Sequence, residues 1–99
     1  MRFTCDVFPI RIWLDIEDDW KWNDAMTYKW DWAGANITLY RNSKTEWRET
    51  LLHEVIHAVS HWLRHIGIDH TEDTEEAYTY LIQYFYFKIE RHISKKKLL

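Results

Sequence analysis

Leu52-His53-Glu54-Val55-Ile56-His57-Ala58-Val59 is the stretch whose reading decides the fold. Its apolar residues return at three- and four-residue spacing, the period of an amphipathic helix rather than of a strand. Extended outward, the set becomes Leu52, Val55, Ile56, Val59, Trp62, Leu63 and Ile66, a single stripe. Ser43 with Glu46 three residues on has the form of a capping box, and Gly67 followed by Ile68 that of a Schellman stop. A helix is therefore predicted from about Lys44 to Ile66. Within it His53 and His57 stand one turn apart, on one face and about 6 Å from each other, so two neutral imidazoles can converge on one metal ion. At about 100° per residue the pair falls beside the stripe, at the border of core and surface, and Glu54 lies further round.

His61 and His65 continue the four-residue series, but each step drifts about 40° from the stripe and about 6 Å along the axis. They read as surface side chains. A histidine six residues after His57 is absent, since Leu63 stands there, and Ser60 replaces the glycine of that longer motif. A catalytic metal needs a third protein ligand and one position open to water. After Gly67, Asp69-His70-Thr71-Glu72-Asp73-Thr74-Glu75-Glu76-Ala77 leads into an aromatic run from Tyr78 to Ile89. Thr71 or Thr74 can cap a second helix, and acidic residues in its first turn suit the helix dipole. Ala77, Tyr80, Leu81, Tyr84 and Phe85 form its most apolar face. Glu76 flanks that face, whereas Glu75 points away with Thr79 and Glu90. Glu76 is the expected third ligand; Glu75, Asp73 and His70 are the alternatives if the helix begins elsewhere.

His53-Glu54-x-x-His57 followed, after eighteen residues, by Glu76 resembles the spacing of gluzincins, metallopeptidases whose third ligand is a glutamate on the next helix. The run Glu75-Glu76-Ala77-Tyr78-Thr79-Tyr80-Leu81 is similar to the acidic-Ala-x-x-aromatic stretch of small ImmA/IrrE-type enzymes and of short phage or prophage metalloprotease-like proteins. The resemblance covers about Thr50 to Phe87. It implies a minimal zincin-like domain that hydrolyses peptide bonds in a protein or peptide substrate, with Zn2+ held by His53, His57 and Glu76 and Glu54 as general base of a metal-activated water. The chain departs from the thermolysin branch at Tyr80, where that branch has an aspartate that orients a ligand histidine. Tyr80 is instead the favoured oxyanion donor, ahead of Tyr78 and His70, in competition with a role as a core aromatic. By the same resemblance an edge strand pairs with extended substrate, and Ile37 to Arg41 is the candidate. Two other readings stand beside the peptidase: a catalytically inactive zincin-like interaction or regulatory module, and a structural dimeric domain without metal.

The first half of the chain reads as sheet. Ile10, Ile12, Leu14 and Ile16 alternate with Arg11, Trp13, Asp15 and Glu17, a strand with one apolar face, and Phe3, Cys5 and Val7 suggest an earlier strand. Ala25 to Trp32 and Asn36 to Arg41 flank Ala33-Gly34-Ala35 in the manner of a hairpin, with Tyr28, Trp30 and Trp32 on one face. Seven tryptophans, among them Trp20-Lys21-Trp22 and Trp30-Asp31-Trp32, enlarge the core of so short a chain or contact a partner. Asp15, Glu17, Asp18 and Asp19 read as a solvated strand end.

The expected architecture is thus α+β: a small antiparallel or mixed sheet with a hairpin in the N-terminal half, packed on an active-site helix and a third-ligand helix, in one domain over residues 1–99. Ninety-nine residues leave no room for a separate substrate domain. No basic, apolar leader and no run of eighteen apolar residues occurs, and lone Cys5 excludes an internal disulfide and a thiolate zinc cluster. Together these indicate a cytoplasmic protein with no membrane contact. A net charge of −3 argues against nucleic-acid binding, and Lys95-Lys96-Lys97 reads as a solvated helix end. The apolar coverage of the Tyr78 to Ile89 helix exceeds what a small domain buries, so homodimerisation through it is expected.

Overall fold

The computed structural model describes residues 1–5, 8–18, 34–41 and 46–99, and the backbone alone of 25–30. Four strands, β1 (Arg2–Thr4), β2 (Arg11–Glu17), β3 (Ala25–Trp30) and β4 (Gly34–Tyr40), form one sheet in the order β1-β2-β4-β3. β1 and β2 are antiparallel, β2 and β4 parallel, and β4 and β3 antiparallel, so the sheet is mixed. Strand alternation drives it as expected: Ile10, Ile12 and Leu14 are fully buried, while on the other face Arg11 and Asp15 meet water and Trp13 is half-buried. The register sets Ile12 beside Ala35 and Leu14 beside Ile37, giving one apolar face across β2 and β4. Asp18 ion-pairs with Arg41 at 2.5 Å beyond the strand ends, as suits its solvated place.

β4 lies inside the sheet, paired on both sides. The expectation that Ile37 to Arg41 forms an open edge is therefore wrong. The hairpin's first arm, β3, takes the outer place, because the chain leaves β2, travels to the far edge and returns inward as β4.

Two helices, α1 (Trp47–His65) and α2 (Glu75–Lys96), cover the apolar face, α1 against β3 and β4 and α2 against α1 and β1. Glu46 caps α1: its carboxylate accepts from the backbone N–H of Arg48 at 2.7 Å and of Glu49 at 3.3 Å. Ser43 and Lys44, expected to open this helix, lie outside the described residues, as do Val7, Asp19 and the side chains of the tryptophans at 20–22 and 30–32. The stop is the Schellman motif read from Gly67: Ile68 N–H reaches Leu63 C=O at 2.8 Å, Gly67 N–H reaches Arg64 C=O at 3.0 Å, and Gly67 has φ +87°. Thr74 precedes α2, which runs on to a left-handed Lys97, so Lys95 and Lys96 are its last turn.

Both helices are rotated from their expected faces. α1 buries Leu51, Glu54, Val55, Ala58, Val59, Trp62 and Leu63, leaving Leu52, Ile56 and Ile66 exposed. α2 buries Tyr78, Leu81, Phe85, Ile89 and Ile93, leaving Tyr80 exposed. Each helix offers two overlapping apolar arcs, and tertiary packing, of α1 on β3 and β4 and of α2 on α1 and β1, decides which of them is buried. Arg48 pins the start of α1 to the end of α2, with Nε 3.1 Å from Glu90 Oε1 and Nη2 3.2 Å from Ser94 Oγ. The Glu90 carboxylate, more than any other neighbour, raises the guanidinium pKa further. At the other end Tyr78 Oη donates to Ile68 C=O at 2.5 Å, so the helices run antiparallel. Among the described residues no helix is long and apolar enough to cross a membrane.

Candidate metal centre

Helical spacing brings the two imidazoles together as the sequence requires. His57 Nε2 and His53 Nε2 are 3.1 Å apart, with ring centroids separated by 4.7 Å. Two nitrogens bound at about 2.0–2.1 Å to one tetrahedral zinc ion stand roughly 3.3 Å from each other. The pair is within a few tenths of an ångström of that spacing, and both rings are open to solvent. Two imidazoles so aligned also fit an N–H···N hydrogen bond, donor and acceptor fixed by opposite tautomers, when no cation lies between them.

Glu54 sits differently from expectation. It is 8% exposed and belongs to the sheet-facing side of α1, between the histidine pair and Ala58. The wheel explains this: His53 and His57 lie on the outer arc, Glu54 about 60° beyond His57 toward the sheet, and Ala58 about 40° beyond that. No buried polar side-chain atom among the described residues lacks a partner, Glu54 included. The rotation of α1 also changes the reading of His61. The 40° drift per step carries it toward the buried arc, so His61 is half-buried, and its ring stacks on His57 with centroids 6.0 Å apart and planes inclined by 19°. Its Nδ1 lies 3.4 Å from Arg64 Nη2. His65 is exposed in the last turn. A run of histidines at four-residue spacing was the signal for this row; the apolar arc chosen as the core hid it.

The carboxylates of α2 do not join the imidazoles. Glu75 and Glu76 are exposed in the first turn, at the end of the helix pair where α1 finishes. His57 lies two turns, about 12 Å, before His65 on α1. Among the described residues no group of three or more His, Cys, Asp and Glu side chains is assembled to hold a metal ion. The first-turn glutamates occupy different lines of α2. Eleven residues is close to three full turns, so Glu75 lines up with Tyr86 and Glu76 with Phe87. Tyr86 is half-buried beside Glu90 and Arg48, with its phenol pKa pushed up first by burial; its line faces α1. Phe87 is 43% exposed, and its line faces water.

No protein family, individual protein or solved structure compared with this chain matches it. The geometry of its own side chains therefore carries the functional argument.

The expected oxyanion donors are spread over the start of α2. Tyr80 is 46% exposed on the outer face, its ring stacked on Tyr84 at 6.0 Å. Tyr78 is buried and spends its hydroxyl on Ile68 C=O. His70 lies against the Tyr78 ring, with centroids 4.6 Å apart. Asp73 is exposed in the connection.

Proposed function

We propose that this chain is a zinc-dependent metallopeptidase of zincin type, with His53 and His57 as two of the protein ligands and Glu54 as general base. The observation that carries the reading is the meeting of His53 Nε2 and His57 Nε2 at 3.1 Å on the open side of α1. Zinc bound there would supply Lewis acidity toward a scissile carbonyl and toward water. Glu54, on the arc between the pair and the sheet, takes the proton of the attacking water and returns it to the leaving amine. The third ligand belongs to the acidic first turn of α2. Glu76 has the gluzincin spacing, whereas Glu75 stands on the line that faces α1; for either to reach the pair α2 has to shift along α1, because its first turn stands beside the end of α1, about 12 Å past His57. An extended peptide would add to the outer strand β3 through backbone hydrogen bonds, since β4 is already paired on both sides.

The outward placement of Glu76 favours a second reading, an inactive zincin-like interaction module that binds metal without turnover. Metal analysis and turnover separate the two. Protein purified without added zinc is expected to retain close to one equivalent, with His53→Ala and His57→Ala each losing it and one of Glu75→Ala and Glu76→Ala following. Glu54→Gln is expected to keep the metal and lose cleavage of a peptide library. Wild type that holds zinc yet cleaves nothing leaves the module; wild type that holds none sinks both.

A further inference from the structure

The outer face of α2 is unusually aromatic for the solvent side of a helix whose other side is packed on α1 and β1. Glu76, Tyr80, Gln83, Phe87 and Arg91 fall within about 80° of arc, opposite the buried line of Leu81, Phe85 and Ile89. Tyr80 and Phe87 are 46% and 43% exposed. With Gln83, Tyr84, Lys88 and Arg91 they line an open groove of ≈ 510 Å³. Arg91 already lies over the Phe87 ring, 5.7 Å from its centroid, and Lys88 is drawn to the β1 end, donating to Thr4 C=O at 2.8 Å. Large aromatics on the side of a helix directed away from its own core are the signature of a surface that another element covers.

Charge decides which element. The acidic residue of the face, Glu76, sits at its N-terminal end with Glu72, Asp73 and Glu75 close by, and the basic residues Lys88, Arg91 and Lys95 at its C-terminal end. A parallel copy would set like charges together. An antiparallel copy sets each end against its opposite. We propose that α2 forms the seam of a two-fold homodimer, packed antiparallel against α2 of a second copy of this chain. With the axis between Gln83 and Tyr84, Glu76 meets Arg91 of the second copy, Tyr80 meets Phe87, and Gln83 meets Tyr84; every pair occurs twice, as an isologous interface requires. The aromatics lie at the centre and the ion pairs at the rim. Four turns, about 22 Å, take part in this contact. An anionic membrane is a poorer occupant, because the acidic end of the same face would be repelled from it.

The seam uses the line of Glu76 and Phe87 and leaves Glu75 and all of α1 free; a Glu76 paired with Arg91 of a second copy is not available to a metal, so the seam goes with Glu75 as third ligand, and Arg91→Glu, which touches neither candidate ligand, tests the seam apart from the metal reading. The test is mass against concentration by sedimentation velocity, with far-ultraviolet circular dichroism to show that each variant stays folded. Wild type is expected to pass from monomer to dimer across the micromolar range. Glu76→Arg alone places Arg against Arg twice, and Arg91→Glu alone places Glu against Glu twice, so each is expected to weaken association about tenfold or more. Mixed in equal amounts, the two single variants complement each other fully and form a heterodimer; the double variant E76R/R91E recovers the homodimer. Wild type that stays monomeric throughout overturns the proposal. So do single variants that associate as well as wild type, or a mixture that fails to pair, since either result places the seam elsewhere or in another register.

Discussion

Tyr78 shows how one side chain can look catalytic in sequence and prove structural. Near an HExxH helix a tyrosine is a natural oxyanion donor, but here the ring is 3% exposed and the hydroxyl closes the α1–α2 connection on Ile68 C=O at 2.5 Å. Removing one such bond while keeping the ring costs about 1 kcal/mol, so Tyr78→Phe is expected to lose that much in urea unfolding at neutral pH. Burial, ahead of any neighbouring charge, raises the phenol pKa above its ordinary 10.0. A folded-state pKa above the unfolded one means that the stability is complete below pH 10 and is lost as pH rises through the folded value. The gap between wild type and Tyr78→Phe should accordingly shrink in alkaline solution. A gap that is absent at neutral pH, or constant to high pH, would show that the bond contributes nothing. Glu54 teaches the same lesson in reverse. Its type and spacing were legible, yet its burial depends on which apolar arc of α1 meets the sheet, and Leu51 and Leu52 are equally apolar.

At the scale of elements, the local signals read well and the long-range ones did not. Alternation identified β2, Gly67 announced the end of α1, and the β3–β4 hairpin was legible though its connection was not, since Gly34 and Ala35, expected between the arms, are already in β4 opposite Trp30 and Lys29. Strand order was hidden, because β2 pairs with β4 across the whole excursion through β3, and alternation says which face is apolar but not which neighbour is adjacent. Gly34 is the residue that records this pairing. At φ +137° it opens β4 beside Arg11, and a Cβ there would stand 1.8 Å from Arg11 O. No flexible side chain can yield at that point, since the obstacle is backbone. Gly34→Ala is expected to destabilise by about 3 kcal/mol or more, or to prevent folding. Gly67→Ala is its control: φ is +87° but nothing lies within 4 Å of the added atom, so only the left-handed conformation is penalised, about 1–2 kcal/mol. Thermal melts that rank the two variants the other way round would refute the parallel β2–β4 contact at this position.

Across the whole molecule, one apolar cluster joins the sheet to both helices, from Phe3 and Ile12 through Leu39 and Val55 to Phe85 and Ile93. The α+β layering was legible because helix and strand periods are local properties, whereas the division of the aromatic run on α2 between core and surface was not. Tyr78, Tyr80, Tyr84, Phe85, Tyr86 and Phe87 are chemically alike, and only the packing of α2 on α1 and β1 distinguishes Phe85, fully buried, from Phe87, 43% exposed. That distinction separates the two kinds of stability the molecule has. Phe85→Ala opens a cavity between α2 and the rest of the core and is expected to cost about 3–5 kcal/mol at every protein concentration. Phe87→Ala removes no core contact, so in dilute solution it should change the melting temperature little. If α2 is the dimer seam, wild type gains stability from association as its concentration rises, and Phe87→Ala forfeits that gain while Phe85→Ala retains its slope on a lower baseline. Melting curves over a wide concentration series read both at once. Parallel concentration slopes for wild type and Phe87→Ala would mean that the outer face of α2 plays no part in assembly, and a small effect of Phe85→Ala would mean that the cluster is not the single core on which the position of the histidine pair depends.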